Sequence, residues 1–277
     1  MNLKRQQHAR QIDFQMLVRT NQKFNTEGQR DNRWGEIAFT LGGAMTATAG
    51  IVTLFRQPLA PLASILILIP LLLARFSERA DIVGLMVGAT FGNLTELLCD
   101  AAGVWEHATR PVFGVAPFYI FACYPLLGLA TPRLIAAVLG RARPVAEGAG
   151  AGLRDATIIW ALHLGLSCRF GADNGSQSIV CAACLALTVA RFHSPHDLTT
   201  ALLGGLLGMV WELPCARWGA WRFPHPQLFG LIPFWLPLAY AVFFVNLGRI
   251  AAALTEWRER AAMSSGRAAT AVLDQRQ

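Results

Sequence analysis

Charged residues are scarce in this chain, which excludes an ordinary soluble domain. Of 277 residues only 15% are charged, whereas 54% are hydrophobic. A typical soluble domain has about 25% charged residues. The charges cluster at the two ends and in short groups between long apolar runs, as in a polytopic membrane protein. The net charge of +7 therefore belongs to helix ends and connections, where it sets topology, and does not indicate nucleic-acid binding.

Several chemical signatures are also missing. Lysine occurs only as Lys4 and Lys23, before the first apolar run, which excludes a retinal Schiff base inside the bundle. The histidine clusters of membrane di-iron oxidases are absent, and so are phosphate loops, nucleotide motifs and serine elbows. The sequence therefore predicts no metal and no cofactor. Residues 1–35 have no apolar core, so we expect no cleavable signal peptide.

The most informative feature that is present is an internal repeat of 116 residues. Residues 74–133 align without a gap with residues 190–249, and 17 of these 60 positions are identical. Chance would give roughly five identities at this composition. The identical positions include Asp81, Gly88, Gly92, Glu96, Cys99, Gly103, Trp105, Phe113, Gly114, Pro117, Phe118, Tyr124 and Arg133. We therefore expect the two halves of the chain to fold alike.

The apolar runs predict an all-α bundle of about eight transmembrane helices, arranged as two parallel-oriented four-helix repeats. Pro132 is expected to end or kink the fourth span, and Pro117 and Pro233 to bend the fourth and eighth spans near their starts. The fifth and sixth spans are short enough to be tilted or partly re-entrant. The predicted spans are 37–55, one that ends at 74, 82–102, 112–131, 156–170, 178–190, 198–216 and 228–252.

This pattern also predicts the organisation of the whole chain. The arginine-rich connections all fall on one side of an eight-span bundle, so we expect both termini in the cytoplasm and the bundle in the inner membrane. An even number of spans in each half gives the halves the same orientation, related by a pseudo-twofold axis along the membrane normal. The expected parts are a basic N-terminal segment (1–35), a first repeat (36–140), a linker (141–155), a second repeat (156–253) and a C-terminal tail (254–277).

Each half contains one glutamate at the end of a stripe of glycines. Gly88 and Gly92 precede Glu96 at intervals of four residues, and the repeat places the same pattern before Glu212. Small residues at this spacing mark close helix contacts, so both carboxyl groups should point into the bundle. An isolated carboxylate is costly there, so each glutamate should be protonated or paired. The candidate partners in the loops are His107, Arg110, Arg217 and His225.

These glutamates have two interpretations. In the first, Glu96 and Glu212 are catalytic or ligand-binding acids in an apolar cavity with aromatic walls; in the second, they only help the halves to pack. Ionisable residues inside a membrane favour the first interpretation. The tryptophans nearby are alternatively explained by an aromatic belt at the membrane interface. The predicted substrate-binding residues are the aromatic side chains near the glutamates: Trp105, Trp211, Trp221, Phe118, Phe234, Tyr124 and Tyr240.

Three smaller features have mainly structural interpretations. Asp81 and Asp197 are expected to cap the third and seventh spans. His163, in the middle of the fifth span, has no counterpart in the other half and is expected to bond to a neighbouring side chain. Cys181 and Cys184 have the spacing of a redox or metal pair, but inside an apolar run they are better explained as small packing residues.

Part of the second half resembles a known family. Glu212, Gly219, the run Trp221-Arg-Phe223 and residues 228–240 are similar to the polytopic carotenoid hydratases. They resemble the membrane-bound carotenoid and meroterpenoid cyclases more loosely. The resemblance implies that a carboxylic acid protonates an isoprenoid double bond, after which water is captured or a ring closes. It implies this role for Glu212 and, through the repeat, for Glu96. The chain departs from these families in its tandem repeat and in lacking the Pro-x-Glu-Glu run of bacterial lycopene cyclases.

The sequence thus predicts an integral membrane protein, in contact with the lipid bilayer, with an intramembrane cavity for an apolar isoprenoid substrate. The predicted chemistry is acid-catalysed hydration or cyclisation by Glu212 or Glu96. Two alternatives remain open: a small-molecule or proton-coupled transporter, and a lipid-binding protein without catalysis. A transporter needs polar lining that reaches both faces of the membrane, whereas an enzyme needs a single opening.

Overall fold

The computed structural model describes residues 34–57, 59–75, 78–139, 149–171 and 173–274, and the side chains of all of these except 149 and 263–274. The predicted N-terminal segment lies outside the described residues up to residue 33, as do residues 141–148 of the predicted linker. The fold is therefore described from α1 onwards, and the two repeats are both included.

Within the described residues the chain forms eight helices and one two-stranded sheet. The strands β1 (Glu106–His107) and β2 (Trp221–Arg222) pair antiparallel, with Glu106 opposite Arg222. A π-helical turn, Gly88–Gly92, lies inside α3. The helices are α1 (Trp34–Leu54), α2 (Ala60–Arg75), α3 (Arg79–Ala101), α4 (Ile120–Leu139), α5 (Ala149–Phe170), α6 (Asn174–Arg191), α7 (Pro195–Trp218) and α8 (Leu236–Asp274).

Five of these helices are long and apolar enough to cross a membrane, namely α1, α3, α4, α7 and the part of α8 that ends at Ala262. Large apolar side chains on the helix surfaces, including Ile67, Met86, Ile179 and Leu202, are exposed and would contact lipid. The chain is therefore a multi-pass membrane protein of all-α fold. The remaining helices are the 16-residue α2 and the more polar α5 and α6, so the count of eight crossings stays a prediction.

Each of the two repeated helices, α3 and α7, begins with a capping box. The carboxylate of Asp81 accepts a hydrogen bond from the backbone N–H of Glu78 at 3.0 Å. Asp197 accepts the same bond from Ser194 at 3.0 Å, and the Ser194 hydroxyl accepts one in return. Reciprocal bonds of this kind satisfy N–H groups that a helix start leaves unpaired. The aspartates thus take part in capping, as predicted, but both helices begin three residues earlier than predicted, so the N-caps are Glu78 and Ser194.

The same aspartates also join neighbouring helices. Arg133 of α4 donates from Nε and Nη2 to the two oxygens of Asp81, at 2.7 and 2.5 Å. Arg249 of α8 donates to Asp197 from the same two atoms. The two ion pairs lie at one end of the bundle, which we call the arginine end; the opposite end, which bears β1 and β2, is the sheet end.

The glycine stripes are sites of close contact, as predicted. A Cβ atom at Gly92 would lie 2.3 Å from the ring of Tyr124, and one at Gly208 would lie 2.2 Å from the ring of Tyr240. Gly88 faces the backbone oxygen of Tyr124 at 2.2 Å by the same measure. Only glycine leaves room here, so α4 packs tightly on α3, and α8 packs tightly on α7.

The fourth and eighth helices begin later than predicted. The predicted starts were residues 112 and 228, whereas α4 begins at Ile120 and α8 at Leu236. The residues in between form short turns closed by the bridges Val112–Ala116 and Leu228–Ile232. Phe113 and Phe229, with φ values of 52° and 55°, have the left-handed conformation, which a helix does not accommodate. These turns are apolar, so hydropathy alone assigned them to the helices.

Two prolines do not bend helices as expected, and a third, Pro132, does not end the fourth helix. Pro117 and Pro233 lie before α4 and α8, in the turns, and so do not bend these helices; the carbonyl oxygen of each accepts the first turn's backbone bond at 3.3 Å. Pro132 lies inside α4, which continues to Leu139. Pro132 leaves the carbonyl of Gly128 without its helical donor, and that carbonyl faces α3 at the close helix crossing.

The remaining boundaries extend the predicted ones. Helix α5 begins at Ala149, inside the predicted linker, and α6 begins at Asn174, where Asp173 accepts a bond from the backbone N–H of Ser176 at 3.0 Å. Helix α8 continues through most of the predicted tail to Asp274. It packs against α3, α4, α5, α6 and α7 and is thus the central helix of the described bundle.

Candidate functional site

A cavity of about 70 Å³ lies between α3, α4, α5, α7 and α8 near the sheet end. Both repeat glutamates line it, Glu96 from α3 and Glu212 from α7. They are only 5% and 8% exposed. Glu96 lies 15 residues beyond Asp81, which is about 22 Å along a helix. The cavity is thus remote from the arginine end, and eight of its 22 lining residues are tryptophan, phenylalanine or tyrosine.

Glu96 accepts two hydrogen bonds and has a histidine ring as a third close contact. Trp105 donates from Nε1 to Oε1 at 2.8 Å, and Tyr124 donates from its hydroxyl to Oε2 at 2.6 Å. The Nε2 atom of His107 lies 3.2 Å from Oε1. Tyr124 reaches the carboxyl group because Gly92, one helical turn before Glu96, lets its ring lie against α3.

Glu212 repeats two of these three contacts. Trp221 donates from Nε1 to one carboxyl oxygen, and Tyr240 donates from its hydroxyl to the other. Gly208 leaves room for the Tyr240 ring, as Gly92 does for Tyr124. Each of these residues lies 116 positions after its counterpart, so the sequence repeat is also a repeat of side-chain contacts around a buried carboxyl group.

The third contact is present only at Glu96. His107 is buried and has a carboxyl group at each ring nitrogen: Nδ1 lies 2.7 Å from Oδ2 of Asp100, and Nε2 faces Glu96. Asp100 is 6% exposed, and its Oδ1 atom has no hydrogen-bond partner among the described residues. We call this hydrogen-bonded set the Asp100–His107–Glu96 chain.

The Asp100–His107–Glu96 chain is the group of described residues that could hold a metal ion, since its ligand atoms lie within 4.8 Å of one another. The orientation of His107 argues against a shared metal. Its ring lies between the two carboxyl groups, with one nitrogen facing each of them. The two carboxylates therefore do not face the same ring nitrogen, as they would if all three side chains bound one metal ion. This arrangement is suited to moving or sharing a proton.

The structure brings most of the predicted site residues together. Both predicted acids line the cavity, and so do five of the seven predicted aromatic residues, Trp105, Trp211, Trp221, Tyr124 and Tyr240. Phe118 and Phe234 are outside its wall. They lie in the turns before α4 and α8, and Phe234 is 58% exposed. The sequence prediction placed both residues in spans that begin at residues 112 and 228, whereas the helices begin at Ile120 and Leu236.

Several lining residues were missed or assigned no role in the site. Phe223, Trp235 and Phe243 complete the aromatic wall. His163 also lines the cavity, and its Nε2 atom lies 3.5 Å from Sγ of Cys181, which fits the expectation that it bonds to a neighbour. Asp100, outside the wall but essential to its electrostatics, was missed too. Its position four residues after Glu96 places it on the same helix face, and this spacing was the available signal.

The sheet end is held by a second charged contact, outside the cavity. Arg222 of β2 donates from Nε and Nη2 to Oε2 of Glu106 in β1, at 2.8 and 2.6 Å. These hydrogen bonds lower the pKa of Glu106 below its usual value of 4.5. The backbone N–H of Ala108 also donates to the carbonyl of Ala220 at 2.9 Å. The two connections at the sheet end, which supply Trp105, His107, Trp221 and Phe223 to the site, are thereby joined.

Comparison with known proteins yields a structural likeness. The chain is similar to the crystal structure of the mycobacterial Insig homolog MvINS from Mycobacterium vanbaalenii, with a TM-score of 0.49 and 22% identity over 63% of this chain and 94% of that one. A cross-linked trimer of MvINS gives a TM-score of 0.49 and 20% identity over the same shares. Identities this low concern the fold and do not extend to activity. No protein-family model and no curated protein matches the chain.

Proposed function

We propose that this protein is a membrane enzyme that protonates a carbon–carbon double bond of an apolar isoprenoid, after which the cation captures water or closes a ring. One observation carries the proposal: two carboxyl groups, at most 8% exposed, share one aromatic-walled cavity in a membrane bundle. A neutral carboxylic acid is favoured over a carboxylate in such surroundings. One of the two glutamates is therefore available as a proton donor.

The walls of the cavity support the same chemistry. Protonation of an alkene leaves a carbocation, and the faces of aromatic rings attract cations. Trp105, Trp211 and Trp221 line the cavity together with Phe223 and Phe243. The resemblance of the second half to carotenoid hydratases and to membrane cyclases also points to this reaction. A cavity of about 70 Å³ has room for the end of a chain, so we expect the rest of the substrate to lie between helices and in the lipid.

The distribution of polar residues favours an enzyme over a transporter. The polar side chains that line the cavity are Thr95, Glu96, His107, His163, Ser167 and Glu212. They lie towards the sheet end, whereas the arginine end is closed by the two Asp–Arg pairs. Polar lining towards one end only supports a single opening.

We further propose that the two halves are related by a pseudo-twofold axis along the membrane normal, with both termini in the cytoplasm and the bundle in the inner membrane. Glu106 pairs with Arg222, its own equivalent in the repeat. A residue that lies opposite its equivalent in an antiparallel pair is what a twofold axis through the sheet produces. The expected orientation places the arginine end towards the cytoplasm, in agreement with the charge rule for membrane proteins.

The proposed reaction is tested by comparing lipid extracts by mass spectrometry. Extracts from cells without the gene should lack a product that returns with the wild-type gene and carries either the elements of water or a new ring. The Glu96→Gln and Glu212→Gln variants keep size and hydrogen bonding but cannot donate a carboxyl proton. At least one should abolish the product while the protein accumulates normally.

A matched control is Glu259→Gln, which changes an exposed glutamate in the last part of α8 and should leave the product unchanged. If the glutamates are only structural, both Gln variants will form the product while Glu96→Ala and Glu212→Ala fold poorly. Normal product formation by the double Gln variant would contradict the proposal.

A further inference from the structure

The two halves differ in the charged groups around their glutamates. Asp100 and His107 belong to the first half, and the equivalent positions 116 residues later are Ala216 and Phe223. The rest of each carboxyl environment is the same, with one tryptophan and one tyrosine as hydrogen-bond donors. This difference is the basis for assigning different roles to Glu96 and Glu212.

The Asp100–His107–Glu96 chain favours an ionised Glu96. A neutral imidazole has a single N–H, whereas the imidazolium form has one on each nitrogen and so presents an N–H to each of the two carboxyl groups. Glu96 then accepts two hydrogen bonds, from Trp105 and Tyr124, and has a charged imidazole 3.2 Å from its Oε1 atom. Hydrogen bonds to the charged form stabilise it. Asp100 completes the chain with a second negative charge.

Glu212 has no imidazole in contact with it: His107 lies 3.2 Å from Glu96 but acts on Glu212 only from across the cavity. It accepts hydrogen bonds from Trp221 and Tyr240, and a second carboxylate in the same cavity would be repelled by Glu96. The other titratable side chains whose charge would act on the two carboxyl groups are thiols and phenols, which are neutral at neutral pH: Cys99, Tyr119, Cys123, Tyr124, Cys215 and Tyr240.

We propose that Glu212 is the acid of the reaction and Glu96 its base, with His107 and Asp100 as positioning residues that keep Glu96 ionised. This division of roles rests on the proposed function. In the first step the O–H bond of Glu212 breaks, the alkene π electrons form a C–H bond, and a carbocation and the Glu212 carboxylate result. Glu212 is then without its proton and must regain one.

The second step restores neutrality. In hydration, a water oxygen bonds to the carbocation and its proton passes to the Glu96 carboxylate. In cyclisation, the π electrons of a second double bond of the substrate form a C–C bond to the carbocation, which closes the ring and leaves the positive charge on another carbon. A C–H bond next to that carbon then breaks, its electrons form a new double bond, and the proton goes to Glu96. The proton then moves from Glu96 to Glu212 across the shared cavity. The net reaction adds water or rearranges the substrate, and no oxidant or reductant is needed.

The protonation assignment is testable without the substrate. Infrared spectroscopy of the full chain in lipid nanodiscs in D₂O at neutral pH distinguishes the C=O band of a protonated carboxyl group from the bands of carboxylates. The wild type should show one buried protonated carboxyl group. Glu212→Gln should remove this band, and Glu96→Gln should leave it. Asp155→Asn, which changes a carboxyl group paired with Arg191 in α5 and α6, is the matched control and should leave the band unchanged.

Variants of the positioning residues test the Asp100–His107–Glu96 chain itself. His107→Gln removes the cation between the carboxyl groups, so Glu96 should become protonated. The intensity of the C=O band should then double. Asp100→Asn keeps the size of the side chain and should move the band in the same direction, which gives a second measurement if His107→Gln does not fold.

Two results would overturn the assignment: a band that is lost in Glu96→Gln but kept in Glu212→Gln, or a band that neither His107→Gln nor Asp100→Asn changes. Failure of the proposed function gives a different pattern. In that case the infrared bands of the variants change as the assignment predicts, whereas the lipid extracts of all variants match those of the wild type.

Discussion

Gly92 and Gly208 determine where the two carboxyl groups are held. Each lies one helical turn before its glutamate and in contact with a tyrosine ring, at a distance that a Cβ atom would not allow. The ring therefore lies against the helix, and its hydroxyl meets the carboxyl group on the next turn. The glycine stripe thus serves both helix packing and the geometry of the site.

Substitution of these glycines should therefore weaken the fold locally at the site. We expect Gly92→Ala and Gly208→Ala each to lower the free energy of unfolding by about 1–3 kcal/mol, because the methyl group overpacks the tyrosine contact. Gly248→Ala in α8 is the control, since nothing lies within 4 Å of its added Cβ, and it should not destabilise the protein. Unfolding of purified variants in mixed detergent measures the difference. Equal stabilities of the three variants would contradict this account of the stripe.

The sequence predicts which residues belong to the site better than it predicts which of them contact one another. Glu96, Glu212 and most of the aromatic wall follow from the repeat and from their position beside the glycines. His107 was one of four candidate partners, and proximity along the chain did not select among them. The role of Asp100 depends on the path of the loop after α3, which returns His107 to the preceding helical turn. Hydropathy and spacing do not encode that path.

At the scale of elements, the β1–β2 pair is the connection that joins the two outer loops. It is short, and its backbone bonds are supported by the charged contact between Glu106 and Arg222. Because these loops supply side chains to both glutamates, the pair aligns the two halves of the cavity. An exposed pair of this kind contributes modestly and depends on pH and salt.

The pH dependence of this contact has a definite sign. The pKa of Glu106 is lowered by its hydrogen bonds from Arg222, so the stabilisation is present above pH 4.5 and is lost as the pH falls through the lowered pKa. Hydrogen exchange at Ala108, whose N–H donates to Ala220, should show reduced protection in that acidic range. The Arg222→Gln variant should show little such change. Undiminished protection of Ala108 in the wild type at that acidity would contradict the contact.

The helix boundaries show which features of the sequence were sufficient to predict where a helix starts and ends. The starts of α3 and α7 were predicted three residues late and their ends within two residues, because a capping-box aspartate and polar loops mark their limits. The starts of α4 and α8 were predicted eight residues early, at residues 112 and 228, whereas the helices begin at Ile120 and Leu236. The turns that precede them are as apolar as the helices, and the left-handed Phe113 and Phe229 give no signal in hydropathy.

At the scale of the whole molecule, two halves with repeated contacts enclose one cavity and meet at the sheet end. The central helix α8 belongs to the second half and packs against both α3 and α4 of the first. The site is therefore shared between the halves, so neither half alone would form it. Divergence between the halves then becomes a means of giving two equivalent carboxyl groups different roles.

A designed cross-link tests how the halves meet. Glu106 and Arg222 are directly opposite each other, and residues opposite one another in an antiparallel pair have Cα atoms about 4.5–5.5 Å apart. That separation is within the range of disulfides. We expect the double variant Glu106→Cys/Arg222→Cys to form an intramolecular disulfide on mild oxidation, whereas each single variant does not. Mass spectrometry detects the bond, and its absence in the folded double variant would contradict the pairing.

The proposed orientation makes a further prediction. Reporter fusions or cysteine labelling should place residues 103–111 and 217–227 outside the cell, and residues 135–153 and 255–277 in the cytoplasm. The reason is that arginine-rich connections are retained on the cytoplasmic side. A reporter at residues 140–150 that reads as external would contradict both the orientation and the arrangement of four crossings in each half.

The central claim is that an intramembrane carboxyl group transfers a proton to carbon. Its most direct test uses purified protein in nanodiscs in D₂O, supplied with the lipid extract of cells that lack the gene. The wild type should form a product with deuterium bound stably to carbon, because the acid exchanges its proton with the solvent before each turnover. The double variant Glu96→Gln/Glu212→Gln should form none. A product without carbon-bound deuterium, or equal deuterium incorporation by the double variant, would contradict the account.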